Sequence, residues 1–263
     1  MRVVAVDWSG SVSARGRTTW ACEVRDGEPV FLRGGFTAPL LHDLLCTWAE
    51  ATPEMVVGLD FAFALPAWYM RERGWGAARE LWRDAALHAD AWLAECAPPF
   101  WGRPGRRRPA DPGGPHLRRT EELVPAMAGI RPKSAFQVGG AGAVGTGSLR
   151  GMALLHSLAA RGFSVWPFDP AALPRVVEIY PRALTGPVRK SDPAARRDHL
   201  DRLAWPADPA VRALAASTEY AFDAALSARA MWLHRDELAA LGPAADAEEH
   251  LEGAIWLPPL GAG

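Results

Sequence analysis

Short apolar runs rich in β-branched residues recur along the chain, and each of them ends in or carries an acidic residue. Val3 to Val6 lead directly into Asp7, and the run M-V-V-G-L-D delivers Asp60 just before the chain turns away. A third run, R-V-V-E-I-Y-P-R, carries Glu178. Runs of this kind predict buried strands. Because carboxylates are rarely buried without a partner or a bound cation, the three runs together suggest a shared metal ion.

The pattern between these runs predicts a mixed α/β sheet. Two alternating stretches, 18–24 and 29–33, flank a D-G turn, which favours a hairpin and makes the first three strands an antiparallel meander. Leucines at helical spacing over 39–50 predict a helix that packs on this sheet. The next strand then returns beside the first, which places Asp7 and Asp60 at one edge of the sheet.

The rest of the chain predicts further helices and strands around an insertion, within a single domain of 263 residues. From about 66 to 135 the regular alternation stops, which indicates a helical and loop insertion covering one side of the sheet. The later pattern predicts a helix over 148–161, strands over 163–166 and 175–180, a helical region over 211–241 and a short edge strand within 252–257.

A fourth carboxylate lies in the last helical region. Asp223 stands among small residues, including Ala224 and Ala228, that would let a helix approach the sheet closely. A helix interior disfavours aspartate by about 0.5 kcal/mol, and burial adds to this cost unless the side chain is satisfied. The position is therefore a candidate fourth ligand.

The net charge and the placement of the arginines limit the classes of function that fit the chain. The formal net charge of −1 argues against binding nucleic acid through overall charge. Six arginines nevertheless fall in one Pro/Gly-rich stretch, where a solvated mobile loop is the favoured interpretation and phosphate contact the alternative. They are Arg103, Arg106, Arg107, Arg108, Arg118 and Arg119.

Cysteine usage and hydropathy predict a reducing, aqueous compartment. The three cysteines form no C-x-x-C pair, so we expect reduced core thiols rather than disulfides or zinc ligands. No apolar stretch approaches the roughly eighteen residues of a membrane span, and the early Asp7 argues against a signal peptide. The expected location is cytoplasmic, without a membrane partner.

Six fragments follow one another along the chain in a characteristic order. They are V-A-V-D-W-S-G, V-V-G-L-D-F-A-F-A-L-P, G-T-G-S-L-R-G-M, V-W-P-F-D, V-V-E-I-Y-P-R and F-D-A-A-L-S-A, which span Val4 to about Ala228. Their order and spacing resemble the DUF429 family, whose members are described as predicted ribonuclease H-like nucleases. The resemblance implies a ribonuclease H-like α/β fold, a mixed five-stranded sheet flanked by helices. It also implies that Asp7, Asp60, Glu178 and Asp223 occupy the positions that such enzymes use for divalent metal.

The chemistry of these ligands points to phosphodiester hydrolysis. Clustered oxygen ligands suit hard cations, so the expected cofactor is Mg²⁺ or Mn²⁺ rather than zinc. Two such ions about 3.5 to 4 Å apart can activate water and stabilise the leaving oxygen. The chain is thus predicted to be a metal-dependent nuclease or phosphodiesterase acting on nucleic acid or a nucleotide. The candidate catalytic and metal-binding residues are Asp7, Asp60, Glu178 and Asp223, and the candidate substrate-binding residues are Ser9, Lys133, Arg182 and Lys190.

Three other functions stay open at this point. A ribonuclease H-like chain without turnover could serve as a binding or scaffold protein. An actin-like or sugar-kinase-like phosphotransferase also starts with a carboxylate-tipped strand and a hairpin, although Trp8 and Phe61 leave little room for backbone contact with phosphate. G-x-G-x-x-G at 140–145 matches a dinucleotide fingerprint, but only the short run from Ala135 to Val138 precedes it.

Overall fold

The computed structural model describes residues 1–10, 18–127 and 129–259. Its strands are β1 (Arg2–Asp7), β2 (Trp20–Arg25), β3 (Glu28–Gly34), β4 (Met55–Leu59), β5 (Ser164–Val165), β6 (Arg175–Ile179) and β7 (Ile255–Trp256). Its helices are α1 (Ala38–Ala51), α2 (Ala67–Glu72), α3 (Ala78–Glu95), α4 (Arg119–Leu123), α5 (Gly145–Ala160), α6 (Pro181–Thr185), α7 (Pro193–Arg202), α8 (Pro209–Ala215), α9 (Glu219–Leu233), α10 (Arg235–Ala240) and α11 (Ala247–Glu252).

The strands form one mixed sheet, which confirms the predicted mixed α/β class. Its path runs β3-β2-β1-β4-β6-β5, and β7 also pairs with β6. Strand β2 is antiparallel to both β1 and β3, whereas β4, β6 and the two short strands are parallel to their neighbours. The predicted meander and the return of the fourth strand beside the first are therefore confirmed.

The sheet has seven strands rather than the five that the resemblance implies. Two-residue strands account for the difference, because both add to the free side of β6. Strand β5 pairs with its beginning at Arg175 and Val176, and β7 pairs with its end at Glu178 and Ile179. The edge strand expected within 252–257 is thus present, but it is confined to two residues.

Side chains of the central strands alternate between two cores, one on each face of the sheet. Val4 and Val6 pack in the core that α1, α3 and α5 cover. Val3 and Ala5 pack in the core that α9 covers. Because strand side chains alternate with a period of two, every residue of β1, β4 and β6 is assigned to one face by its position.

The helical region expected over 211–241 is divided into α8, α9 and α10. Thr218 explains the first interruption, because its hydroxyl accepts a hydrogen bond from the Ala221 backbone N–H and starts a new helix. The cysteines are free and buried, as predicted. None of the described helices is long and apolar enough to cross a membrane.

Glycines in α5 differ sharply in the space around them. A Cβ on Gly151 would lie 2.5 to 2.6 Å from three ring atoms of Phe61, which follows Asp60 in the chain. A Cβ on Gly147 would meet nothing closer than 3.7 Å. Helix α5 therefore approaches the Phe61 ring at a distance that only glycine allows.

We expect Gly151→Ala to destabilise the protein by about 1–3 kcal/mol, because overpacking against Phe61 outweighs the better helix propensity of alanine. Gly147→Ala is the matched control in the same helix and should be neutral or stabilising by up to about 1 kcal/mol. Urea unfolding of both variants measures the two values. Equal stability of the two variants would contradict the close approach.

Candidate functional site

Two predicted site aspartates lie side by side where the central parallel strands end. Asp7 is the last residue of β1, and Asp60 follows β4 directly. The strands pair in parallel with Val6 beside Leu59, and the Asp60 backbone N–H donates to the Val6 carbonyl oxygen at 3.1 Å. Asp7 is only 8% exposed, and Asp60 is half-buried. Their predicted adjacency at one edge of the sheet is confirmed.

A third aspartate joins them from α9, together with a lysine. Asp223 is 9% exposed, and Lys190, in the loop between α6 and α7, is 8% exposed. The Lys190 Nζ atom lies 2.5 Å from Asp223 Oδ2. The second carboxylate oxygen, Oδ1, is buried and has no hydrogen-bond partner in the described part of the chain. Lys190, a predicted phosphate-binding residue, is thus placed at the site and is paired with a carboxylate.

Burial and mutual repulsion raise the pKa values of the three aspartates. For Asp7 burial raises the pKa most, and the charges of Asp60 and Asp223 raise it further. The pKa of Asp60 rises to about 8, first through burial and then through the charge of Asp223. Burial also raises the pKa of Asp223, although the Lys190 ammonium opposes this rise. The three carboxylates therefore share one negatively charged environment.

The fourth predicted ligand, Glu178, projects from the opposite face of the sheet. It pairs with Leu59 in the β4–β6 ladder, and Leu59 belongs to the core beneath α3 and α5. Asp60 comes one residue later than Leu59, so alternation directs it towards the α9 face. Glu178 therefore approaches the cluster at the end of the sheet from the other side, and its charge still contributes to the raised pKa of Asp60.

A buried arginine already binds the Glu178 carboxylate at both oxygens. Arg118 Nη2 lies 2.5 Å from Oε1, and Arg118 Nη1 donates to Oε2 at 2.9 Å. The Phe63 backbone N–H also donates to Oε2 at 2.9 Å. Glu178 is 2% exposed and Arg118 is 1% exposed, so water does not screen this pair.

Every N–H donor of the Arg118 guanidinium has an acceptor. Besides Glu178, Nε and Nη2 donate to Glu121 Oε1 at 3.1 and 3.0 Å, and Nη1 donates to the Glu252 carbonyl oxygen at 3.1 Å. Burial alone lowers the pKa of Arg118, but the charges of Glu178 and Glu121 outweigh it and raise the pKa above its usual range.

This network corrects the interpretation of the arginine-rich stretch as one solvated loop. Arg118 is fully buried because three acceptors from separate segments enclose it, whereas Arg103, Arg106, Arg107 and Arg108 are exposed as expected. Arg119 is also on the surface, paired with Asp246 at 2.7 Å. In the sequence, the signal that sets Arg118 apart is Glu121, which follows it by three residues at the start of a helix.

A cleft of about 280 Å³ opens beside two of the four predicted ligands. It brings together Asp60, Glu178 and two of the predicted substrate-binding residues, Ser9 and Lys133. Ser9 Oγ is 3.0 Å from Thr19 Oγ1. Aromatic residues also line the cleft, namely Trp8, Phe61 and Tyr180. The space next to Asp60 can therefore admit a small polar group.

Arg182 lies near the cluster but is directed elsewhere. Its Nη1 donates to the Val188 carbonyl oxygen at 2.8 Å, which closes the loop after α6. Its charge nevertheless acts on Asp223, whose pKa it helps to lower. Arg182 thus contributes positive charge to the site from the loop that leads to Lys190.

The carboxylate oxygens of the site suit a hard cation, although the described side chains do not surround one common point. Among the described residues, neither Asp7 nor Asp60 has a side-chain hydrogen bond or ion pair, and Asp223 Oδ1 lacks a partner. Free carboxylate oxygens are the ligands that Mg²⁺ and Mn²⁺ prefer. Over residues 1–10, 18–127 and 129–259, no three His, Cys, Asp or Glu side chains have the arrangement of a metal site.

The G-x-G-x-x-G stretch lacks the strand that a dinucleotide fingerprint requires. Residues 135–138 form a turn with an isolated bridge from Trp101 to Gln137 rather than a strand. Trp8 fills space near the same loop, since its Nε1 donates to the Gly147 carbonyl oxygen at 2.9 Å. Its ring also packs against Phe61 with 5.8 Å between ring centroids. The aromatics after the two aspartates thus occupy space that a phosphate loop would need.

We expect Arg118→Met to destabilise the protein by about 3–5 kcal/mol, because it leaves Glu178 and Glu121 buried without a counter-charge. Arg119→Met is the matched control, and it removes an exposed pair with Asp246 that contributes at most about 1 kcal/mol. Chemical denaturation of both variants measures the difference. A loss below about 1 kcal/mol for Arg118→Met would contradict the central role of this arginine.

Stability in EDTA should fall as pH rises, through the titration of Asp60. Its pKa is about 8 in the folded chain, against about 3.9 when unfolded. The folded state therefore binds the proton more tightly, so the free energy of unfolding falls between roughly pH 4 and pH 8 and then levels off.

In Asp60→Asn, the free energy of unfolding should fall less between about pH 4 and pH 8 than it does in wild type. At pH 8 it should exceed the wild-type value by at least about 1.4 kcal/mol, the equivalent of one pKa unit. Thermal and urea unfolding across the pH range provide the measurement. The exposed Asp198→Asn is the matched control and should follow wild type. An Asp60→Asn effect that is independent of pH would contradict the raised pKa.

Comparison with known proteins yields no relative: no family model, no curated protein and no solved structure matches the chain. The function therefore has to follow from the side chains themselves, namely the repelling aspartates at the sheet edge, the cleft beside Asp60 and the buried Lys190 that pairs with Asp223.

Proposed function

We propose that the chain is a divalent-metal-dependent phosphodiesterase or nuclease with a ribonuclease H-like fold. The fold assignment is supported by an antiparallel meander followed by parallel strands on the other side of β1. The sequence fragments that resemble DUF429 proteins support it as well. The activity depends chiefly on one observation, which is the convergence of Asp7, Asp60 and Asp223 at the end of the sheet.

These three carboxylates would hold Mg²⁺ or Mn²⁺. Holding like charges together in a buried place is costly, and a cation at the same place removes the cost. The chemistry that such an ion supplies is activation of water and neutralisation of charge on the phosphoryl group. The cleft lies directly against Asp60, so a phosphodiester bound there would reach this carboxylate.

The other cleft residues would orient the substrate. The Lys133 ammonium lines the cleft and could bind a phosphate oxygen as a point charge. The aromatic walls formed by Trp8, Phe61 and Tyr180 would offer apolar faces to a base or sugar. A nucleic acid strand or a nucleotide carries both of these groups.

One observation favours the alternative of a binding or scaffold protein without turnover. Two of the four predicted ligands are already compensated within the protein, Glu178 by Arg118 and Asp223 by Lys190. A protein that needs only a stable fold would pair each buried carboxylate with a cationic side chain in this way. The two functions differ in whether the remaining aspartates take up a cation and support turnover.

Hydrolysis of bis(4-nitrophenyl) phosphate and of labelled single- and double-stranded oligonucleotides, with Mn²⁺ or Mg²⁺ and with EDTA, tests the proposal. We expect metal-dependent turnover that Asp60→Asn lowers at least about 100-fold, beyond the 10–100-fold loss typical of outer-shell changes. Asp198→Asn changes an exposed residue that does not line the cleft, and it should retain wild-type rates. The metal-dependent mechanism would be refuted by turnover that persists in EDTA or by equal rates in both variants. No turnover would favour the scaffold protein.

A further inference from the structure

The four predicted ligands divide into two compensated and two uncompensated carboxylates. Glu178 is bound at both oxygens by Arg118, and Asp223 lies 2.5 Å from the Lys190 ammonium. Asp7 and Asp60 have no hydrogen bond or ion pair with any described side chain. Asp7 is nevertheless 8% exposed, so an unpartnered carboxylate is more than nine-tenths buried at the end of β1.

The two protein cations are held in place from outside the cluster. Arg118 uses all its N–H donors on Glu178, Glu121 and the Glu252 carbonyl. It has none left for a phosphate or a water in the cleft.

Lys190 is fixed through its backbone by a second buried arginine. Arg196 donates to the Lys190 carbonyl oxygen, and its Nε donates to the Ala216 carbonyl oxygen at 2.9 Å. Ala216 lies just before α9, the helix that carries Asp223. One arginine thus ties the lysine loop to the start of the aspartate helix, so Lys190 and Asp223 are positioned as a unit.

We infer that the cluster binds one divalent cation, with Asp7 and Asp60 as its protein ligands, and that Lys190 takes the place of a second cation beside Asp223. Resting on the proposed function, this inference narrows its metal ligands from three aspartates to two. Glu178 is then a positioning residue that anchors Arg118 and the Phe63 backbone, because both of its oxygens are already used.

The charge of the cluster supports a single ion. On the α9 face the three aspartates and Glu219 meet the cations Lys190 and Arg182, which leaves two negative charges when the acids are ionised. One divalent cation neutralises these charges, whereas a second would add uncompensated positive charge next to Lys190. On the other face, Arg118 already occupies the space between Glu178 and Glu121.

Isothermal titration of Mn²⁺ into the full chain, with electron paramagnetic resonance of free Mn²⁺ as a second readout, tests the inference. Wild type should bind one ion per chain, and Asp7→Asn should abolish binding. Lys190→Met frees Asp223 and removes a positive charge, so it should bind a second ion or bind the first at least about tenfold more tightly. Lys190→Gln gives the same comparison if the methionine variant does not fold.

Lys133→Met is the matched control, since Lys133 is the other lysine of the sequence and lines the cleft without an ion pair among the described residues. It should bind one Mn²⁺ with an affinity within about threefold of wild type. Two ions bound by wild type would overturn the inference and leave the proposed function standing. Unchanged stoichiometry and affinity in folded Lys190→Met would overturn the role of the lysine, and no uptake by wild type would overturn the proposed function together with the inference.

The role of Glu178 is tested in the same titration. Glu178→Gln should still bind one Mn²⁺ within about threefold of the wild-type affinity, although it should unfold at lower urea concentration. If this variant does not fold, Arg118→Met combined with Glu178→Met removes both partners of the buried pair and gives the same comparison. Loss of Mn²⁺ binding in a folded variant would make Glu178 a ligand and overturn its assignment as a positioning residue.

Discussion

Burying carboxylates at the end of a sheet costs free energy that only a neighbouring cation or a set of hydrogen bonds can recover. The chain meets this constraint differently on the two faces of its sheet. Arg118 surrounds Glu178 on one face, and Lys190 approaches Asp223 on the other. Asp7 and Asp60 lie at the same end of the sheet, and no described side chain forms an ion pair with either of them. The position of the site follows from this uneven compensation.

The alternation of side chains along β1, β4 and β6 determines which acid meets which cation. Glu178 shares its face with Leu59, so it faces the segment that contributes Arg118. The aspartates, which follow Val6 and Leu59 by one residue, alternate to the face that α9 covers. A shift of one residue in the pairing of β6 would place Glu178 among the aspartates and leave Arg118 without its partner. The register of β6 therefore determines which carboxylate each buried cation neutralises.

The elements that position the first two aspartates could be predicted from sequence because local signals suffice. An apolar run ending in Asp7, a hairpin turn, an amphipathic helix and a second run ending in Asp60 determine their adjacency. The cations could not be predicted, since their partners are distant in sequence. Arg118 lies 60 residues from Glu178, and Lys190 lies 33 residues from Asp223. Within the Pro/Gly/Arg-rich stretch, Glu121 distinguishes Arg118 from the exposed arginines, but nothing local identifies Glu178 as its partner.

The lack of an ion pair at Asp7 and Asp60 among the described residues bears more directly on the choice between an enzyme and a scaffold than the fold does. A protein that required only this architecture would gain stability from asparagine or an apolar residue at either position, because each acid adds repulsion and desolvation to the folded state. The chain shows elsewhere that it can supply a buried cation where an acid needs one, at Arg118 and at Lys190. Two acids that lack such a cation among the described residues, one of which lines a cleft, support the proposed site that takes a metal ion from solution.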